Sequence, residues 1–66
     1  MADYRRQVLE ILKSKKCEFD RRGKGDHEIW RSPINGRKFP VDSKIVSRHT
    51  ANGILRQAGI KDIKIS

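Results

Sequence analysis

Residues 27–42 read HEIWRSPINGRKFPVD, two runs of alternating polarity around an Asn-Gly pair. Asn-Gly flanked by such runs is a strong hairpin signal. The period of two predicts antiparallel strands over HEIWRS and RKFPVD. A third run of the same kind, CEFDRR at 17–22, lies upstream across GKGD at 23–26. Pro40 has no N–H to give to a ladder, so the last strand should hold it at a sheet edge.

Outward from these strands the period becomes helical. Tyr4, Val8, Ile11 and Leu12 recur at i, i+4, i+7 and i+8, which predicts a first helix to about Ser14 with Asp3 as N-cap. Lys13, Lys15 and Lys16 sit at its end, where positive charge complements the macrodipole. Ala51, Ile54, Leu55 and Ala58 predict a second helix stopped by Gly59. Gly53 falls inside that helix, at a cost of about 1 kcal/mol relative to alanine. The order α-β-β-β-α implies a two-layer α+β domain: a three-stranded antiparallel sheet with both helices on one face and the other face free. Sixty-six residues make one domain at most, 1–66, with 61–66 as a short C-terminal tail.

Strand parity gives the free face its content. His27, Ile29 and Arg31 point one way, and Glu28, Trp30 and Ser32 the other. Trp30 is the only large aromatic of its strand, so it is assigned to the core and His27 to the open face beside Arg31. An unburied histidine next to a Gly-Lys-Gly loop, whose N–H groups can meet a phosphate, suits acid-base work on RNA. On residue type alone, a solvated surface histidine is the plainer reading.

Composition narrows the partners. Sixteen Lys and Arg against eight Asp and Glu give a net charge of +8, which suits a polyanion, nucleic acid first. The basic residues are spread over loops, strands and helices, unlike the cationic face of a membrane-surface helix, so no membrane partner is expected. No apolar run exceeds two residues, which excludes a signal peptide or a membrane span in the sequence. Cys17 has no second cysteine to pair with, and two histidines with one cysteine are too few for a zinc site. A cytoplasmic protein is the natural expectation. A chain this small leaves no room for a cavity holding a small-molecule cofactor.

The whole stretch GKGDHEIWRSPINGRKFPVD followed by ILRQAGI resembles the HicA family of small toxins from toxin-antitoxin pairs. The resemblance runs from the helix at Tyr4 through Ile60. It rests on Gly23, Lys24, Gly25, Asp26 and His27, on Trp30 three places on, on the Asn35-Gly36 hairpin, and on Gln57, Ala58 and Gly59. It implies a fold like double-stranded-RNA-binding domains and an endoribonuclease of the mRNA interferase type that inhibits translation and growth. It further implies His27 as the catalytic histidine and a HicB-like antitoxin as the neutralising partner. Two departures stand out. Asp26 occupies a place where serine is common, setting a carboxylate next to the histidine in sequence, and the glycine-rich start of the second helix is here SRHTANG.

The acids are scattered and form no obvious Mg²⁺ cluster, so cleavage without metal is expected, with the ribose 2′-OH as nucleophile and His27 as general acid or base. Arg22, Lys24, Arg31, Lys44 and Arg48 are the candidate RNA-binding charges, and His49 is a possible second acid or base. Two rivals remain. One is a non-catalytic double-stranded-RNA-binding module of the same fold. The other is a DNA-binding regulator using the second helix, disfavoured because that helix commits its apolar residues to packing and carries only two arginines.

Overall fold

The computed structural model describes residues 3–66. Helix α1 spans Arg5–Ser14, strands β1, β2 and β3 span Glu18–Arg22, Glu28–Arg31 and Lys38–Val41, and helix α2 spans Arg48–Gln57. The strands form one antiparallel sheet in the order β1-β2-β3. This is the expected α-β-β-β-α arrangement, with element ends moved by a residue or two.

Helix α1 buries Val8 and Leu12. Tyr4, not Asp3, occupies its N-cap position, without a side-chain cap bond. Asp3 acts from one residue further out: its carboxylate accepts from the Arg5 N–H at 3.0 Å and from the Ile45 N–H at 3.4 Å. The helix ends on Lys16, whose φ of 68° is left-handed. The Cys17 N–H returns to the Leu12 carbonyl at 2.9 Å, a stop that usually employs glycine.

Strand β2 is central and carries the alternation. Trp30 is buried opposite Phe39, and Glu28 faces Val41. Pro40 lies opposite Ile29 on the outer strand, exposed as expected. The β2–β3 loop closes through Ser32 N–H to Arg37 C=O and Gly36 N–H to Ser32 C=O, both 2.9 Å, with Gly36 at φ 70°. Asn35 accepts from the Arg37 N–H at 3.0 Å and so stabilises the turn with its side chain. Strand β1 is exposed throughout and irregular between Phe19 and Arg21. Phe19, half-exposed, meets the Trp30 ring edge-on at 6.2 Å between centroids.

Helix α2 is capped by the Ser47 hydroxyl, which accepts from the His49 N–H, and it buries Ala51, Ile54 and Leu55. It stops at Gly59, φ 80°, with the Ile60 N–H bonded to the Leu55 carbonyl. Both helices pack their apolar stripes into one core with Trp30, Phe39, Val41 and Ile45, leaving the opposite sheet face uncovered. The hairpin also reaches α2 directly. The fully buried Ser32 hydroxyl donates to the Ala58 carbonyl at 2.6 Å, and Asn35 Nδ2 donates to the Gln57 carbonyl at 3.0 Å. Carbonyls that a helix end would leave unpaired are thereby satisfied. Cys17 is a buried core thiol, its pKa raised by burial and partly offset by a hydrogen bond with Ser32.

Residues 61–66 fold back onto the domain. Asn52 grips the backbone of buried Ile65 with both amide atoms, at 2.9 and 2.8 Å, and Lys15 pairs with Asp62 at 2.7 Å.

The indole of Trp30 needs a polar partner when buried. Its Nε1–H donates to Glu28 Oε1 at 3.1 Å, and Arg5 Nη2 meets the same oxygen at 3.0 Å. The indole bond first, and Arg5 after it, hold the Glu28 carboxyl below the ordinary range, against the opposing effect of burial.

Trp30→Ala should destabilise the protein by about 3 to 5 kcal/mol in urea denaturation, because it empties the sheet side of the core and removes one of the two donors to Glu28. A loss below about 1 kcal/mol would put Trp30 outside the load of the fold. Glu28 has a folded pKa below its unfolded one, so its contribution is present above the unfolded pKa and is lost as pH falls through the folded one. Glu28→Gln should therefore cost stability at neutral pH and flatten the acid limb of the stability curve. Parallel acid limbs for parent and variant would contradict the assignment.

Candidate active site

The loop 23–27 positions the histidine. The Gly23 N–H donates to the His27 carbonyl at 2.9 Å, the His27 N–H reaches the Lys24 carbonyl at 3.3 Å, and Gly25 takes φ 64°. A Cβ on Gly23 would sit 3.2 Å from Ile29 Cδ1, so the missing side chain lets the loop lie against β2. Ile29 is consequently half-buried, less accessible than the exposed apolar residue that parity alone suggests.

His27 projects from the start of β2 onto the uncovered face, with its side chain 52% exposed. Directly across the hairpin, one step beyond the Glu28–Val41 pair, stands Asp42. Its Oδ1 lies 2.7 Å from His27 Nδ1. Arg5 Nη1 donates to the Asp42 carbonyl at 2.6 Å while Nη2 holds Glu28, so one guanidinium ties α1 to both strands beneath the pair. A carboxylate on Nδ1 orients the ring and leaves Nε2 as the nitrogen open to another partner.

The carboxylate at this histidine is therefore Asp42 and not its sequence neighbour Asp26. The information was available in the hairpin. With Ser32 opposite Arg37, one-for-one counting along the strands sets Asp42 opposite His27. A reading that looked only at adjacent residues missed it.

The candidate charges divide among several places. Lys24 belongs to the same loop as His27. Arg31 shares the uncovered face, but four residues along the strand put it about 13 Å away. Arg22 pairs with Glu28 in register and so lies on the opposite side of the sheet from His27. Lys44 is exposed in the connection after β3. Arg48 and His49 line a groove of about 740 Å³ between α2 and the C-terminal segment, in which neither His27 nor Asp42 takes part. The uncovered face is mixed in charge, because Asp20 meets Lys38 at 3.5 Å and Arg21 at 3.4 Å there. The positive charge of that face is thus offset by Asp20, and at its His27 end by Asp42.

Among the described residues no three His, Cys, Asp or Glu side chains gather as a metal site, and no helix is long and apolar enough to cross a membrane. Comparison with curated proteins and with solved structures gave no significant match. A family model does match, over residues 5–60, and it describes the HicA toxin of bacterial toxin-antitoxin pairs. The matched span contains both helices, the whole sheet, the loop that carries His27 and the Asp42 that meets it. With nearly the full chain covered in this way, the protein belongs to the HicA family and is the toxin component of a toxin-antitoxin system.

Proposed function

We propose that this toxin acts as a metal-independent endoribonuclease on mRNA, with His27 as the group that moves the proton. The observation that carries the reading is the half-exposed imidazole with Asp42 on Nδ1 at 2.7 Å, an arrangement that leaves Nε2 for the substrate. With its proton on Nδ1, the neutral ring presents a basic Nε2. That nitrogen accepts the proton of a ribose 2′-OH as the oxygen attacks the adjoining phosphorus. The 2′-oxygen–phosphorus bond forms, the bond to the 5′-oxygen breaks, and the departing oxygen takes a proton from solvent. Asp42 stabilises the imidazolium and keeps the ring from turning. Lys24, in the same loop, and the loop N–H groups are the nearest donors for the phosphate oxygens, with Arg31 further along the strand. DNA lacks the 2′-OH and would not be cut.

The toxin's paired antitoxin is expected to be of the HicB type and to silence it by covering the His27 face. A partner there excludes RNA from the imidazole and buries Ile29 and Pro40 in the same contact.

Expression of the parent should arrest growth and cleave cellular RNA, with cleavage persisting in EDTA. His27→Ala should lower cleavage by roughly 10²- to 10⁴-fold while the melting temperature stays at the parental value, because the ring lies outside the core. Asp42→Asn should lose part of the rate with RNA binding unchanged. RNA bound to the His27→Ala protein should be displaced by the antitoxin. A His27→Ala toxin that is folded and cuts RNA at the parental rate would refute the mechanism. One that still arrests growth without cutting would favour a non-catalytic RNA-binding module.

A further inference from the structure

Positive charge is unevenly spent in this molecule. Residues 43–66 hold five cations, Lys44, Arg48, Arg56, Lys61 and Lys64, against one acid, Asp62. Asp62 is engaged by Lys15 from α1. None of the five cations has a carboxylate within 4.0 Å among the described residues, whereas Arg5, Arg6, Lys15, Arg21 and Lys38 all do. Lys13, Lys16, Arg22, Lys24, Arg31 and Arg37 likewise have no carboxylate partner among the described residues, but Arg48, Arg56 and Lys64 stand together on one groove.

That charge lines a shaped surface. Arg48, Asn52 and Arg56 follow one another at four-residue intervals on α2, about 6 Å apart along the axis, a step comparable to that between neighbouring phosphates of a nucleic-acid strand. The opposite wall is Lys64 to Ser66, held there by the double bond of Asn52 to Ile65, and Gly53 lies in the floor. Gly53 has no structural justification inside the chain. Its helical backbone is ordinary, a Cβ there would meet nothing within 4 Å, and glycine in a helix interior costs stability. What it does achieve is a bare stretch of helix backbone at the bottom of a cationic groove.

We propose that the groove between α2 and the C-terminal segment is an RNA phosphate-binding track, separate from the His27 face, with Arg48, Arg56 and Lys64 on the phosphates and Gly53 keeping the floor clear for the strand. This rests on the ribonuclease reading above and adds where the substrate is held. Two guanidinium groups about 12 Å apart along the helix, with no carboxylate partner, match two phosphates a couple of steps apart on a strand, and each contact releases counterions from the strand. The Cα framework measures only 32 × 30 × 15 Å, so an RNA strand of about a dozen nucleotides is long enough to occupy the groove and extend around the molecule. The track contributes affinity and the His27–Asp42 pair contributes chemistry.

The test uses the full-length His27→Ala toxin and a labelled mixed-sequence RNA oligonucleotide. Arg48→Gln, Arg56→Gln and Lys64→Gln should each weaken binding and lower the slope of log Kd against log salt by about one. Gly53→Gln should raise the melting temperature and still weaken RNA binding at least severalfold, an opposition that a purely structural role for position 53 does not produce. In the active toxin the same changes should raise KM and leave kcat near the parental value. If the His27→Ala protein binds no RNA, the ribonuclease reading and the track fall together. If it binds RNA and the groove variants keep the parental affinity and salt slope, the track alone is wrong. Groove variants that bind RNA normally but lose the antitoxin would assign the groove to the protein partner and equally overturn the proposal.

Discussion

Burial of Trp30 is the constraint on which the arrangement of this molecule turns. In a regular strand such as β2 the side chains alternate faces, so seating one residue seats its neighbours. With Trp30 against Phe39 and the helices, Glu28 and Ser32 are drawn to the same side, and His27, Ile29 and Arg31 are turned away. Each inward polar residue then has a structural duty. Glu28 accepts from the indole and from Arg5, and Ser32 bonds the end of α2. A slip of one residue would expose the indole, bury the imidazole and break both sets of bonds at once.

The same hairpin that fixes parity also composes the site. Antiparallel register carries Asp42 from the far end of β3 to the side of His27, and Arg5 braces the backbone there from α1. The imidazole is thus held by groups from three elements while remaining open to solvent. The setting of the His27–Asp42 pair and core stability share Arg5, whose two terminal nitrogens serve Asp42 and Glu28 separately. Residues 43–66, which hold α2 and the segment after it, carry five cations against one acid.

Much of this was legible in the chain because the signals were local and redundant. Two helical stripes, three alternating runs, an Asn-Gly turn and Pro40 each pointed to the same layer arrangement, and Trp30 settled the parity of His27. What escaped depended on pairings between distant residues. Asp42 needed the hairpin register to be counted out, while Asp26 was merely adjacent in sequence. Lys16 ends α1 in a left-handed conformation that nothing in its residue type advertises. The docking of 61–66 rests on one asparagine in α2 gripping a backbone thirteen residues away. Arg22 is a candidate RNA-binding charge by residue type, and only the register of β1 reveals that it stands on the Glu28 side of the sheet.

The state of one ring decides the role of the His27–Asp42 pair, and nitrogen NMR of the His27 imidazole reports it. With Asp42 bonded at Nδ1, the neutral ring should carry its proton on Nδ1 and leave Nε2 bare, and Asp42→Asn should abolish that preference. A neutral His27 that carries its proton on Nε2 in the parent protein, indifferent to Asp42, would contradict that role.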